Sequence, residues 1–410
     1  MTRDRYCEVR QATEQLCAPL ATEDYGVQSM ADASPTKWHL AHTTWFFETF
    51  VLKPREGYRP FHPLFEMLFN SYYNSIGEPF PRPQRGLLTR PTVEDVYRYR
   101  RVVDEEIENL IEHKALSSDS LAVVELGVHH EQQHQELILT DLKHLLSCNP
   151  LRPAYRVLAA PPSSPVAPQQ WCEIGGGVYE IGHAADGFAF DNETPRHRIY
   201  CEPFGLATRP VTHGEMQAFI DDDGYRRPEL WLSEGWNSVC SQGWQAPLYW
   251  EKSGGEWWIF TLAGMRRLNP SEPLCHVSYF EADAYARWAG ARLPREGEWE
   301  IAASQLEATG NFVESGWFHP RAASAAVAST AQQMFGDVWE WSESPYTAYP
   351  GFRPTAGALG EYNGKFMCNQ FVLRGGSCAT PSSHIRASYR NFFPAAARWQ
   401  FSGIRLARDV

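Results

Sequence analysis

Apolar residues in the first third of the chain recur every three to four positions, which is the spacing of amphipathic helices. Cap residues precede two of these runs: Ser34, followed by Pro35 as the first helical residue, and Thr92, followed by an acidic first turn. The pattern predicts four main helices, and a four-helix bundle is their economical packing. The predicted helices span about 5–19, 34–52, 92–113 and 118–146.

The pattern changes after about residue 148, where prolines cluster and a linker is predicted over 151–168. Beyond the linker, short β-like runs are separated by glycine-rich turns, and clear helices are predicted at 278–290 and 295–303. The expected fold class is therefore α + (α+β). A helical domain is predicted over 1–150 and an α+β domain over 169–410.

The length and charge of the chain limit the number of domains and the kinds of partner that we expect. A chain of 410 residues suits two domains. With 37 basic and 49 acidic residues, a net charge of −12 and no basic run, a nucleic-acid partner is not expected. The sequence shows neither an apolar stretch of about 18 residues nor the apolar core of a signal peptide, so we expect a cytoplasmic protein with no membrane partner. Nine cysteines without a Cys-x-x-Cys pair give no disulfide or zinc-finger framework.

Histidine spacing indicates a metal site. His130 and His134 are four residues apart, which places both imidazoles on one face of a helix. A third ligand is expected from another helix, where His39 and His42 are the two candidates. Three protein ligands leave positions free for substrate and oxygen, so an enzyme is favoured over a structural metal protein. Three imidazoles suit Zn, Cu, Fe or Ni, and the spacing does not choose among them.

Two sets of motifs carry a resemblance to a known family. On segments 38–42 and 130–136, the first half resembles the DinB-like helical domain of the sulfoxide synthases of ergothioneine biosynthesis. The second half resembles their formylglycine-generating-enzyme-like domain, a variant of the C-type lectin fold. Its markers lie at 175–177, 190–195, 292–294, 336–341, 373–377 and 403–407. The related selenoneine synthases share this scaffold.

The resemblance implies a non-haem iron(II) enzyme that uses O2 to join a thiol to imidazole C2 of hercynine and to oxidise the sulfur. The implied ligands are His42, His130 and His134, so the resemblance favours His42 over His39. Gln133 is implied to contact the substrate imidazole. One of Tyr72 and Tyr73 is expected to be catalytic, and the alternative for each is a packed aromatic residue.

The remaining implied residues bind substrate. Arg82 and Arg85 match the stretch that binds the donor carboxylate, with a solvated loop charge as the alternative for each. Asn391 and Phe392 match contacts to the trimethylammonium group of hercynine, and Arg398 is a candidate for a substrate carboxylate. Residue 393 is Phe where the mycobacterial, γ-glutamylcysteine-using type has Asp, so cysteine is the favoured donor.

Three other functions share some of these sequence features. A selenosugar donor would make the protein a selenoneine synthase on the same iron site, and the sequence leaves this alternative open. Formylglycine generation requires a reactive cysteine pair near the C-terminus, whereas the segment after Arg374 has only Cys378. A lectin-like binding module is disfavoured by the open three-histidine site. The sequence does not predict an oligomeric state.

Overall fold

The computed structural model describes residues 1–158, 165–184, 187–323 and 330–410. These residues form two compact units. The first comprises Met1–Tyr155 and the short segment Pro354–Tyr362, and the second comprises Arg156–Arg353 and Asn363–Val410. Residues 159–164 of the expected proline-rich linker lie outside the described residues.

The four helices predicted for the first unit are confirmed. They are α1 (Arg3–Cys17), α2 (Thr36–Phe47), α4 (Val93–Glu112) and α5 (Ser118–Cys148), with a short α3 (Phe65–Phe69) between α2 and α4. Thr92 and Asp95 form a reciprocal capping box at the start of α4. The predicted start of α2 was wrong by one residue: Pro35 occupies the N-cap, and the Ser34 hydroxyl instead accepts a hydrogen bond from Arg85.

Helix α2 is buried on every side. All twelve of its residues are buried, and it packs against α4 and α5. A helix enclosed in this way lacks a solvent face, so its polar residues must find partners inside the protein. On α5, a Cβ added to Gly127 would lie 2.5 Å from the ring of Phe47. The glycine therefore permits the close approach of α5 to α2 that brings their histidines together.

A buried ion network ties the helices of the bundle to one another. Its centre is Glu131 on α5, whose carboxylate accepts hydrogen bonds from Arg10, Thr13 and Arg100. Arg10 and Thr13 lie on α1 and Arg100 lies on α4. Arg10 also donates to Thr44 of α2 at 2.9 Å. The carboxylate of Glu131 thus links α5 to α1 and α4, and Arg10 extends the network to α2.

The second unit mixes helices and short strands. The helices predicted at 278–290 and 295–303 are confirmed as α8 (Tyr279–Trp288) and α9 (Glu296–Ala303), which follow α6 (His213–Asp221) and α7 (Ser233–Gln242). The strands among the described residues are β1 (Trp171–Ile174), β2 (Gly177–Ile181), β3 (His197–Cys201), β4 (Phe204–Ala207), β5 (Trp250–Ser253), β6 (Glu256–Thr261), β7 (Gly264–Arg267), β8 (Trp339–Pro345), β9 (Gln370–Arg374), β10 (Asn391–Pro394), β11 (Ser402–Gly403) and β12 (Ala407–Asp409).

These strands form four small sheets with the orders β1-β4-β12, β10-β9-β8-β11, β2-β3 and β5-β6-β7. All pairings are antiparallel except β11 with β8. On β8, the buried Glu340 accepts hydrogen bonds from Arg405 at 2.8 Å and from the Trp299 indole at 2.7 Å. These contacts give Glu340 a structural role in the unit.

Within the part of the chain that the structure describes, no helix combines the length and the apolar character needed to span a membrane.

Candidate metal centre

Helices α2 and α5 bring three buried histidines together. One ring nitrogen from each of His42, His130 and His134 lies within 4.8 Å of the other two. The spacing of His130 and His134 along α5 turns both rings toward α2, which supplies His42. Their ring centroids are 4.6 to 4.9 Å apart. The arrangement offers three imidazole ligands to one ion.

The surroundings of His42 fix which of its nitrogens faces the centre. Its Nδ1–H donates to the carbonyl oxygen of Phe69 at 2.6 Å, and its Nε2 is buried with no hydrogen-bond partner among the described residues. The ring lies between the indoles of Trp38 and Trp45, at 4.5 and 5.5 Å and within about 14° of parallel. An imidazole held in this way presents a bare lone pair in a fixed direction.

His134 is oriented by a chain of two further side chains. Its Nδ1 lies 2.8 Å from Nδ1 of His39, and Nε2 of His39 lies 3.0 Å from Asp141. If His39 donates its Nε2–H to the carboxylate, its Nδ1 accepts a hydrogen bond from Nδ1–H of His134, which leaves His134 Nε2 as the ligand atom. His39, the alternative ligand candidate from the sequence, therefore lies behind the centre and supports a ligand.

The three histidines have the protonation state that a metal requires. Burial lowers the pKa of His130 to about 3, and burial also lowers the pKa values of His42 and His134 far below the ordinary range. All three are therefore neutral at physiological pH, with free lone pairs. Both ring nitrogens of His130 are buried without a partner among the described residues. A bound metal ion would satisfy these orphaned nitrogens, so the residues present fit the group.

Replacing Asp141 with Asn is expected to weaken metal binding by about 10- to 100-fold, because the amide holds His39 less firmly and His39 orients His134. The measurement is the metal Kd, obtained by competition with a chromogenic chelator. Asp119→Asn, an exposed change on the same helix, is the matched control. An unchanged Kd in folded Asp141→Asn protein would contradict the orienting role.

A loop over residues 70–77, here called the tyrosine loop, organises one side of the centre. Asn70 is buried, and its amide donates to the carbonyls of Tyr73 and Gly77 at 3.0 Å while its oxygen accepts from the Tyr73 amide. The residue before the loop, Phe69, supplies the carbonyl that orients His42. The Ser71 hydroxyl lies 3.1 Å from Arg85. The tyrosine loop thus has connections to a metal ligand and to a candidate donor-binding residue.

The two candidate donor arginines have different environments. Arg85 is buried, with its guanidinium 3.4 Å above the ring of Trp38 and hydrogen-bonded to the hydroxyls of Ser34 and Ser71. Among the described residues, no carboxylate binds Arg85, and its Nε has no partner. Burial and the charge of Arg82 lower the pKa of Arg85. Arg82 itself is exposed and donates to a backbone carbonyl. Arg85 is therefore the buried cation that an anion would stabilise.

Tyr72 and Tyr73 lie side by side on the tyrosine loop, with ring centroids 4.8 Å apart. Tyr73 is fully buried and packs against Trp45, which stacks on His42. Burial, and then the proximity of Tyr72, raise the pKa of Tyr73 far above the ordinary range, so this residue is a neutral phenol. Tyr72 is half-buried. The hypothesis that one of the two is catalytic remains a prediction.

Tyr362, a residue that the sequence reasoning missed, completes this side of the centre. It belongs to the segment Pro354–Tyr362, and its hydroxyl donates a hydrogen bond to Oε1 of Gln133. Its ring lies edge-on to His130 at 5.6 Å and to Tyr72 at 6.2 Å. Gln133 and Tyr362 are separated by 229 residues, so neither periodicity nor motif spacing could have indicated the contact.

The other three candidate residues belong to the second unit. Phe392 on β10 stacks on Tyr346 with ring centroids 4.0 Å apart, next to Asn391. The Asn391 side chain accepts a hydrogen bond from the Phe392 amide. The Arg398 guanidinium forms a 2.8 Å ion pair with the buried carboxylate of Glu281. The structure thus shows an aromatic stack at Phe392 and an Arg398 that already has an acidic partner.

The fold and the centre together define a class of protein: a DinB-like helical bundle with an open three-histidine site, followed by a formylglycine-generating-enzyme-like domain. Residues 5–138 match the DinB superfamily. Residues 158–331 and 319–410 match the Sulfatase-modifying factor enzyme 1-like domain. Both halves of the predicted fold are confirmed.

Whole-length relatives specify the family within that class. The chain is 34% identical to the hercynine oxygenase of Mycolicibacterium thermoresistibile over 404 residues, which cover 92% of this chain and 88% of that one. It is 34% identical to the hercynine oxygenase of Mycobacterium tuberculosis over 405 residues, covering 92% and 91%. Ergothioneine biosynthesis protein 1 of Schizosaccharomyces pombe is 28% identical over 235 residues, covering 54% and 28%. The chain belongs to the hercynine oxygenase family.

Proposed function

We propose that this protein is an iron(II)- and O2-dependent sulfoxide synthase of ergothioneine biosynthesis that joins cysteine to hercynine. The observation that carries the proposal is the buried, open three-histidine centre in a chain of the hercynine oxygenase family. The reaction balances with O2 as the oxidant. The thiol S–H and the imidazole C2–H are lost, a C–S bond forms, the sulfur takes one oxygen atom, and the other oxygen leaves as water.

Iron bound by His42, His130 and His134 would supply the activation of O2 for this chemistry. The protein's own contribution is to position the groups around it. The hydrogen bonds from His42 to Phe69 and from His134 to His39 hold two of the rings in place, so little reorganisation is needed when the metal enters.

Hercynine carries an imidazole ring, a carboxylate and a trimethylammonium group, and each needs a different kind of contact. Gln133 lies between the ligands His130 and His134 on α5 and accepts a hydrogen bond from Tyr362, which supports the proposal that its amide contacts the imidazole. The aromatic stack of Phe392 on Tyr346 has the character that a quaternary ammonium group prefers, and Asn391 adjoins it. Arg398, the candidate for a substrate carboxylate, is already paired with Glu281, so a substrate carboxylate would have to compete with Glu281 for it.

Arg85 is the residue that we propose binds the carboxylate of the thiol donor. A buried guanidinium without a carboxylate partner among the described residues would bind the carboxylate of an amino-acid thiol. Arg82, being exposed, would contribute a longer-range attraction. Residue 393 is Phe where the resemblance gives Asp in the γ-glutamylcysteine-using type, and Phe393 packs edge-on against Trp399, so we keep cysteine as the favoured donor.

A competition assay tests the proposal. Iron(II)-loaded protein, hercynine and air are mixed with cysteine, γ-glutamylcysteine, cysteamine and a selenosugar, and the products are identified by mass spectrometry. We expect a hercynyl-cysteine sulfoxide as the main product, and little reaction of cysteamine because it lacks the carboxylate that Arg85 would bind. A dominant selenium adduct would instead identify a selenoneine synthase. The absence of any hercynine adduct would refute the proposed function.

The tyrosine loop provides a prediction about the course of the reaction. A positioned proton donor contributes about 10²- to 10⁴-fold, so loss of the catalytic phenol is expected to lower sulfoxide formation about 100-fold and divert turnover to oxidation of the thiol alone. Tyr72→Phe and Tyr73→Phe are compared by the ratio of the two products, with the exposed Tyr200→Phe as control. An unchanged ratio in both loop variants would exclude this role for the loop.

A further inference from the structure

The segment Pro354–Tyr362 is attached to the tyrosine loop by one carboxylate. We propose that Glu361 is a positioning residue: it fixes the segment on the tyrosine loop and thereby holds Tyr362 against Gln133, which governs the binding of hercynine. This inference rests on the proposed function.

The contacts of Glu361 are specific. Its Oε2 accepts a hydrogen bond from the backbone amide of Asn74, and its Oε1 accepts one from the backbone amide of Ser75, each at 2.9 Å. The Ser75 hydroxyl donates a third hydrogen bond to Oε1. Hydrogen bonds to an ionised acceptor are roughly twice as strong as neutral ones. Three donors that converge on one carboxylate therefore form an anchor between positions 286 and 287 residues apart.

Most of the segment Pro354–Tyr362 is exposed or half-buried. Residues 354–357 are exposed, residues 358–361 are half-buried, and Tyr362 is the one buried residue of the segment. Segments with few buried apolar contacts open locally at low free-energy cost. The contacts of Glu361 with residues 74 and 75 therefore contribute to holding the adjacent Tyr362 in position.

The segment Pro354–Tyr362 and the tyrosine loop meet beside Gln133 and the metal ligand His130. Tyr362 donates to Gln133 and lies edge-on to His130, while the tyrosine loop carries Tyr72, which also touches Tyr362. If Glu361 no longer held the loop, the Tyr362 hydroxyl would lose its fixed position. Gln133 would then lose the hydrogen bond that Tyr362 donates to it. Because His42 and His134 are held by hydrogen bonds to Phe69 and His39, which lie outside the loop, the arrangement of the metal ligands would remain. Glu361 should therefore affect hercynine more than metal.

Glu361→Gln provides the test, because the change preserves size but leaves a single acceptor oxygen and brings an NH2 group toward an amide donor. Hydrogen exchange of the metal-loaded protein, followed by mass spectrometry, is measured over peptides that contain residues 70–77 and 354–362. The hercynine Kd and the metal Kd are measured by anaerobic calorimetry. We expect exchange at residues 74 and 75 to accelerate at least about tenfold, because a charged hydrogen bond is lost. Because Gln133 would lose the hydrogen bond from Tyr362, we also expect the hercynine Kd to rise about tenfold, with an unchanged metal Kd.

Two further variants separate the steps. Tyr362→Phe retains the anchor and lacks the hydroxyl, so it should weaken hercynine binding without accelerating exchange over 70–77. Glu105→Gln, an exposed change on α4, should alter neither quantity. Unchanged exchange in Glu361→Gln, or accelerated exchange with unchanged hercynine Kd, would overturn the inference. If the wild-type protein binds no hercynine, the proposed function fails, and the exchange data still decide whether Glu361 anchors the loop.

Discussion

The His130→Ala variant is expected to fold and yet to retain no stoichiometric metal, and sulfoxide formation should fall below detection. Both ring nitrogens of His130 lack a hydrogen-bond partner among the described residues. Its position beside His42 and His134 therefore indicates that it serves as a metal ligand. Changes to residues that merely support a ligand cost about 10- to 100-fold in affinity or activity, and loss of the ligand itself should cost more.

The measurement is the metal content after dialysis, together with product formation by mass spectrometry. His113→Ala is the control, because His113 is exposed at the end of α4 and bonds only within its own turn. Circular dichroism checks that the metal-free variant folds, because the smaller side chain leaves a cavity next to Phe46. Full metal occupancy in His130→Ala would exclude the three-histidine centre as the binding site.

Replacing Glu131 with Ala should reduce the free energy of unfolding of the first unit by about 3–5 kcal/mol, because breaking a buried ion pair leaves uncompensated buried charge. Arg10 and Arg100 would both lose their central partner, and each is almost completely buried. Chemical denaturation followed by circular dichroism measures the change, with Glu105→Ala on the surface of α4 as the matched control. A loss of less than about 1 kcal/mol, the value of an exposed ion pair, would show that the network is not a main source of stability.

The same carboxylate predicts the acid sensitivity of the fold. Burial alone would raise the pKa of Glu131, but Arg10 and Arg100 more than offset this and lower the pKa to about 2 from an ordinary value of 4.5. A depressed carboxyl pKa stabilises the folded state above the unfolded pKa, and the stabilisation is lost as the pH falls from about 4.5 toward 2. At about 1.4 kcal/mol per pKa unit the loss is about 3 kcal/mol, consistent with the effect expected for Glu131→Ala. That variant should lose less stability than the wild type across this pH range.

Local sequence signals predicted the elements that short-range physics controls. The capping residues of α4 and the periodicity of α5 gave helices close to the observed bounds, because caps and amphipathic spacing act within one or two turns. The His130 and His134 pair followed from the same helical geometry. The exception was the start of α2, where Ser34 has a tertiary partner in Arg85 that competes with capping.

Residues that depend on long-range packing were beyond reach of the sequence alone. His39 and His42 lie three apart on α2, and only the position of Asp141 on α5 decides that His39 supports His134 while His42 faces the centre. Arg82 and Arg85 are likewise close in sequence and differ by burial, which depends on the stacking of Arg85 on Trp38.

By itself, then, the sequence determined the class of fold, the helical histidine pair and the family to which the motifs belong, since these follow from local spacing and from motif content. The tertiary structure decided which side chains surround the metal centre. Glu361 and Tyr362 reach the tyrosine loop and Gln133 across more than 200 residues of chain. Contacts at that separation leave no periodic trace in a single sequence, because they arise from how distant segments pack and not from local conformation.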